Sequence, residues 1–275
     1  MEKVSIVMPA YYEEKRAGNT LEQYGDFFKK LKKEKKLDFE ILVVINNTTD
    51  RTEEIVKKYK RKFREIKILN FKQGGKGFAV SEGFKDALRR ENNKLIGFVD
   101  IDLATSPEAF YDLIMNIKHY DGMIASRYIP NAKVSPKQSI QRIIASRIFN
   151  LLIRGTLFLH YADTQCGAKI FKRDVLKRIV PLMQITEWAF DVNLLYLCKR
   201  NNFKIKEHPT IWEDKEYSKI NLKKAGLQMF LSVMRLRIIY SPFKKIIRIY
   251  DNLPNKMKIN INGSTLLLFL HTCAQ

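Results

Sequence analysis

Cysteine is scarce in this sequence, with three in 275 residues. Cys166, Cys198 and Cys273 show neither paired nor metal-type spacing. That excludes a disulfide scaffold and points to a reducing compartment. Long apolar runs are also missing. The longest, at 225–234 and 265–270, fall well short of the roughly 18 residues a membrane-spanning helix needs. The opening residues, Met1-Glu2-Lys3-Val4, carry no apolar stretch of the secretory type, so no signal peptide is expected. Glycine (12) and proline (8) are too few for a collagen-like chain, and 45% hydrophobic residues exclude a disordered one. Acidic residues are the telling shortage: 29 Asp+Glu against 50 Lys+Arg leave a formal charge of +21. Such an excess implies a polyanionic partner, whether nucleic acid, nucleotide phosphates or an anionic membrane surface.

What is present has a rhythm. Val4-Ser5-Ile6-Val7-Met8 reads as a strand closed by Pro9, and a Lys-rich helix follows. Residues 40–45 read as a second strand, and 46–50 supply turn and cap chemistry for a helix to about Phe63. A third strand at 66–69 leads through a glycine-rich turn to a helix over 78–91. A fourth, at 95–99, ends in Asp100-Ile101-Asp102. Short apolar strands alternating with helices predict an α/β fold, a doubly wound and mostly parallel sheet covered by helices. Ligands of such sheets bind beyond the carboxyl ends of the strands. Tyr11, Glu13, Asn46, Lys76 and the Asp100/Asp102 pair are therefore expected on one rim. Beyond about residue 135 the character changes. Segment 139–160 is apolar and interrupted by Arg142, Arg147 and Arg154, and the chain from about 219 onward is basic and amphipathic. The lysine run 29–36 reads as a solvated helix face.

Alternate residues of a strand share a side, so Asp100 and Asp102 can present two carboxylates to one point. Hard paired oxygens suit Mg²⁺ or Mn²⁺ completed by substrate phosphates, although two loop acids before the helix start Ser106-Pro107-Glu108 would read similarly. Gly74-Gly75-Lys76-Gly77 lies between a strand and a helix, where close backbone approach and a helix N-terminus favour phosphate. It is neither a P-loop nor a dinucleotide fingerprint. Pro9-Ala10-Tyr11-Tyr12-Glu13 offers an aromatic able to stack on a base, beside acids able to hydrogen-bond it.

Together these segments resemble glycosyltransferase family 2, whose fold is the Rossmann-like, nucleotide-sugar-binding GT-A type. The likeness continues through Asn46-Asn47-Thr48-Thr49-Asp50-Arg51-Thr52, Gly75-Lys76-Gly77-Phe78-Ala79 and Asp100-Ile101-Asp102-Leu103-Ala104-Thr105-Ser106-Pro107. Ile45 and Asn46 stand where two acids are common. In the second half, Ala125-Ser126-Arg127-Tyr128, then Arg142 with Ser146 and Phe149-Asn150, are similar to further family motifs. The strings 163–171 and 188–195, with Trp212 to Lys219, are similar to the dolichyl-phosphate glucosyl branch, apart from Asn193 in place of a usual Glu. The last 35 residues or so match no motif.

The resemblance implies an inverting, metal-dependent hexosyl transfer from a nucleotide diphosphate sugar, UDP-glucose before GDP-mannose, to a polyprenyl or dolichyl phosphate for protein or cell-surface glycosylation. Pro9, Tyr11, Glu13, Asn46, Lys76 and Asp100 would bind the nucleotide sugar, with Asp100 and Asp102 on Mg²⁺ or Mn²⁺. Arg127, Arg142, Ser146 and Lys219 would bind the lipid phosphate. Asp102, Asp163 and Asp191 would complete the catalytic set, the last two, with Glu187, by orienting cations. A phosphomonoester is already largely anionic at neutral pH and needs placing more than deprotonating. A sugar-hydroxyl acceptor would instead require a general base. A basic nucleic-acid-binding protein is the non-enzyme alternative and would explain the +21 charge, but no nucleic-acid motif appears and the charge is spread along the chain, so no nucleic-acid partner is expected. The implied organisation is a domain over 1–220, nucleotide half 1–130 and acceptor half 131–220, with a basic membrane-associating segment over 221–275. The expected location is the cytosolic face of a membrane, held peripherally by apolar faces at 139–160 and 222–240.

Overall fold

The computed structural model describes residues 2–136, 139–184, 189–213 and 222–242, with the backbone only at 142 and 222–228. Lys219, Glu187 and Trp188, the Arg142 side chain and the chain beyond 242, for which the sequence raises expectations, lie outside the described residues.

Strands β1 (Lys3–Ala10), β2 (Asp38–Asn46), β3 (Ile66–Phe71) and β4 (Asn93–Val99) pair in parallel, β2 lying between β3 and β1 and β1 between β2 and β4. Strands β1, β2 and β4 are buried on both faces, which explains their near-continuous apolar sequences, while β3 at the sheet edge is only partly buried. The period of two still sorts them. Ile6, Met8, Ile41 and Val43 enter one core, while Val7, Leu42 and Val44 enter the other. The first core is closed by α1 (Ala17–Lys33), α2 (Thr52–Lys62) and α4 (Pro107–Asn116); the second by α3 (Lys76–Leu88). Helix α4 starts as its sequence predicts: Ser106 Oγ accepts from Ala109 N at 3.2 Å, with Pro107 in the first turn. The lysines at 29, 30, 33, 35 and 36 are exposed, as a solvated face requires.

The sheet then departs from simple alternation. Strand β5 (Gly122–Ser126) does not pair with β4. Strand β7 (Ala168–Lys172) inserts between them, antiparallel to both, and β8 (Ile205–Pro209) adds in parallel beyond β5. Two short strands, β6 (Lys133–Ser135) and β9 (Ile211–Glu213), form a separate parallel pair. Because β7 runs backwards, its amino end lies at the rim formed by the carboxyl ends of β1, β2, β4 and β5. Helices α6 (Arg173–Ile179) and α7 (Phe190–Arg200) cover the second face.

Helix α5 (Ile140–Leu157) occupies the predicted 139–160 segment. Its Phe149, Ile153 and Leu157 share a third core with Ile124, Val192 and Leu195, and with Val233 and Leu236 of α8 (Leu222–Ile239). Part of the apolar face expected at 222–240 is thus packed inward, whereas Phe230 remains exposed. Boundaries also shift, and β2 and β4 each start two residues earlier than expected. Helix α3 begins at Lys76 rather than 78 and ends at 88, and β3 extends to Phe71. Lys76 therefore opens the helix instead of preceding it.

Candidate active site

The rim collects Tyr11, Glu13, Asn46, Lys76, Asp100 and Asp102, with Pro9 near the end of β1. After β1, the turn Tyr11-Tyr12-Glu13 is laced to the loop after β2. Tyr12 N donates to Thr48 Oγ1 at 3.2 Å, Glu13 N to Thr52 Oγ1 at 2.8 Å and Glu14 N to Asp50 Oδ2 at 3.2 Å. These contacts hold Tyr12 at φ 54°, a conformation that costs a non-glycine residue free energy unless its surroundings fix it. Asp50 also accepts from Thr52 N at 3.1 Å at the start of α2, whose N-cap position is Arg51, just after the predicted 46–50 segment, with no cap bond from its own side chain. Tyr11 and Tyr12 meet edge to face and are half-exposed, open to a flat ligand. Asn46 stands at the tip of β2. In the orientation its neighbours select, its amide donates to Ala10 O at 3.0 Å and accepts from Gly75 N at 3.1 Å. It clamps the first turn to the glycine loop, where Gly75 adopts φ 113°.

Four carboxylates converge beyond β4. Lys76 Nζ lies 2.6 Å from Asp100 Oδ1, each side chain about a third exposed. The Lys76 amine is held above its ordinary range: burial would lower it, but Asp100, Asp191 and Asp102 outweigh that. The Asp100 carboxyl is itself raised, by burial first and by Asp102 and Asp191 after it, against Lys76. Glu13 is pushed up to about 7 by burial, with Asp102 and Asp100 adding to it despite the Arg16 fork at 2.6 and 2.7 Å. Negative charge here exceeds its local compensation. Asp102 is partly exposed and its Oδ1 accepts from Ala104 N at 3.0 Å. A divalent ion fits this donor set, through the hard oxygens of Asp100 and Asp102. Among the described residues no group of three or more His, Cys, Asp and Glu side chains is placed to hold an ion. Remaining ligands would therefore come from substrate phosphates.

The reversed β7 brings in the second half. Asp100 N donates to Gly167 O at 2.9 Å, and a Cβ on Gly167 would sit 2.0 Å from Asp100 Oδ2. Only glycine admits the aspartate there. Lys169, fully buried on β7, donates to Cys166 O at 2.7 Å and to Asp191 Oδ1 at 2.5 Å in the first turn of α7. Asp163 accepts from Arg127 Nε at 2.7 Å, Nη2 at 3.0 Å and backbone N at 3.0 Å. Arg127 holds the Asp163 carboxyl below its usual range although burial would raise it. Asp163 thus orients Arg127, one of the cations expected from the sequence, whereas Asp191 orients Lys169, which was not among them. The Cys166 thiol is pushed up to about 12 by burial, consistent with packing. Ser146 is half-buried on α5.

Lys169 and Glu207 escape the sequence reading, and Trp212, named there, makes contacts that it does not foresee. Lys169 has a usable signal, a lone charge in the apolar run 168–171. Glu207 accepts from Ala162 N at 2.8 Å and Asp163 N at 2.9 Å, fixing the turn before β7. Trp212 packs on Arg127, 5.1 Å from its guanidinium carbon, and bridges Thr105 beside the Asp102 loop. Nothing in the local sequence announces either contact.

A family model described as Glycosyl transferase family 2 matches residues 5–180. The chain is 31% identical over 247 residues to a dolichyl-phosphate beta-glucosyltransferase from Dictyostelium discoideum, covering 86% of this chain and 74% of the relative. It is 28% identical over 252 residues to the Homo sapiens protein of that name, covering 86% and 76%. Among solved structures it is similar to glucosyl-3-phosphoglycerate synthase from Mycobacterium tuberculosis, crystallised with Mn²⁺, uridine-diphosphate and glucosyl-3-phosphoglycerate. There the TM-score is 0.60 at 15% identity over 86% of this chain and 79% of that one. The last likeness speaks for the GT-A fold.

Proposed function

Because the chain belongs to glycosyl transferase family 2 and is a glycosyltransferase, we propose that it moves glucose, with inversion, from UDP-glucose to a polyprenyl phosphate of the dolichyl type. The relatives' names support the sugar and the acceptor. The observation that carries the acceptor is the outer face of α5, where exposed isoleucines stand among arginines next to the rim.

The donor diphosphate lies over the Asp100/Asp102 rim, with its base near Tyr11 and Tyr12. Mg²⁺ or Mn²⁺ held by Asp100 and Asp102 would supply charge neutralisation of the departing diphosphate. The chain's own residues do the rest. Asn46 and the glycine loop set the backbone at the start of α3, whose N-terminus favours phosphate oxygens. Lys76 offers a cation there, and the Lys169–Asp191 pair fixes the floor. A phosphomonoester oxygen of the acceptor attacks the anomeric carbon from the opposite face. One C–O bond forms, the bond to the diphosphate breaks, and the nucleoside diphosphate leaves. No proton need be removed, since the acceptor arrives largely ionised.

A panel of nucleotide sugars offered with a polyprenyl phosphate tests this reading. UDP-glucose should give the fastest transfer. A clear preference for GDP-mannose would replace the donor and keep the acceptor. Transfer to sugar hydroxyls with none to lipid phosphate would overturn the proposal.

A further inference from the structure

Tyr240 follows directly after α8, and α7 holds its ring, its carbonyl and its hydroxyl. The ring packs on that of Tyr196, centroids 5.5 Å apart, and the Arg200 guanidinium carbon lies 5.4 Å from its centre. Arg200 Nη1 donates to Tyr240 O at 2.6 Å. The hydroxyl lies 2.9 Å from Asn193 Oδ1 and 3.0 Å from Leu182 O, two acceptors for its one proton.

Asn193 is fully buried and ties two points of the backbone together. Its Nδ2 donates to Gln184 O at 2.6 Å, while its own N donates to Ala189 O at 2.8 Å. The first turn of α7 is thus anchored where the chain enters it. That turn carries two side chains that reach the site. Asp191 accepts from the buried Lys169. Phe190 closes on the start of α3, where a Cβ on Gly77 would lie 2.8 Å from Phe190 Cβ. The Phe98 ring joins these parts. Phe190 meets it edge to face at 5.9 Å, and the Lys76 and Lys169 amines lie 5.5 and 5.2 Å from its centre.

A shift of the α7 start would reach Asp191, Lys169 and Lys76 together, because close-packed interiors transmit strain. A misplacement of about 1 Å at reacting groups costs about 100-fold in rate. We propose that Tyr240 and Asn193 are positioning residues for sugar transfer, holding the start of α7 so that those three charges keep their places at the rim. This rests on the active site proposed above, but not on which sugar or acceptor it takes. Both residues act through α7 rather than on the substrate.

Tyr240→Phe removes the hydroxyl and keeps the ring on Tyr196 and Arg200. The test uses the full chain with UDP-glucose and a short prenyl phosphate, or the pair that the wild type prefers in the panel above. Tyr240→Phe should lower kcat by about 5- to 20-fold, the scale of one lost buried hydrogen bond. The donor KM should stay within about twofold, a split that general loosening of the fold would not give. Asn193→Ala should lower kcat at least as much, and the double variant little further, since the hydroxyl acts through the amide. Arg200→Gln, a change at an exposed residue, should reproduce part of the loss and carries the test if Tyr240→Phe does not fold. Hydrogen exchange gives a readout without turnover: amides of 190–194 should exchange faster in Tyr240→Phe than in the wild type. An unchanged kcat in the folded variant overturns the inference, as does a double variant whose loss is the product of the two single losses. If the wild type prefers another donor or acceptor, the proposed function changes, while this inference is judged by the same ratios. If it transfers no sugar at all, that function fails, and unchanged exchange would overturn the inference independently.

Discussion

Asp100 and Asp102 are two residues apart and are held in different ways, so their substitutions should separate chemistry from stability. Asp100 is pressed against Gly167 and paired with Lys76, and its amide is fixed by Gly167 O. Removing its charge strands a lysine. Asp102 accepts one hydrogen bond, from Ala104 N, which an asparagine Oδ1 keeps. Asp102→Asn should therefore lower turnover by about 100-fold or more, the scale of lost charge stabilisation at a reacting diphosphate, with the melting temperature almost unchanged. Turnover at the wild-type level would remove Asp102 from the metal site. The pair was legible in the sequence because it follows an apolar strand. Gly167, which makes room for it, was not, because their meeting depends on β7 running backwards from about 65 residues away.

At the scale of elements, the four parallel strands and their helices follow from local patterns, and their order in the sheet could be guessed. The insertion of β7 between β4 and β5 could not: a five-residue apolar run does not encode its direction. Helix α5 was legible as a helix, yet its sequence does not say which apolar residues are core. The structure divides them. Ile153 is fully buried among α7 and α8, whereas Ile148 is largely exposed. Ile153→Ala should cost about 2–4 kcal/mol in denaturant unfolding, from lost burial and the cavity left behind. Ile148→Ser should stay within about 0.5 kcal/mol. Equal losses would mean that the outer face is packed in solution. Asn193, unusual against its resemblance, has a local reason. It donates to Gln184 O at 2.6 Å and accepts from Tyr240 OH at 2.9 Å, tying α7 to the chain beyond α8. A carboxylate could not make the first of these bonds.

For the whole molecule, a formal charge of +21 needs a use beyond the site, whose cations are already matched to carboxylates. No helix among the described residues is long and apolar enough to cross a membrane. A polyprenyl phosphate has its head group fixed at a bilayer surface, so an enzyme using it must bring its rim there. Helix α5 is suited to lie in that interface: its exposed isoleucines would enter the acyl boundary while Arg147 and Arg154, both exposed, would meet anionic head groups. Each such cation adds about 1 kcal/mol near an anionic leaflet, a gain that salt screens over roughly 10 Å at 0.1 M. We therefore expect reversible, salt-dependent binding. The protein should co-sediment with phosphatidylserine-rich liposomes at low salt and be partly released at high salt. Ile148→Ser should weaken the fraction that persists at high salt, because that part is hydrophobic. Neutral liposomes carrying a small share of polyprenyl phosphate should recruit the protein through the site rather than through bulk charge. Should the protein stay in the supernatant at both salt concentrations, and polyprenyl phosphate fail to recruit it, the lipid acceptor would lose its main physical support. A soluble sugar hydroxyl would then be the acceptor to pursue, and one of the rim carboxylates would have to take its proton.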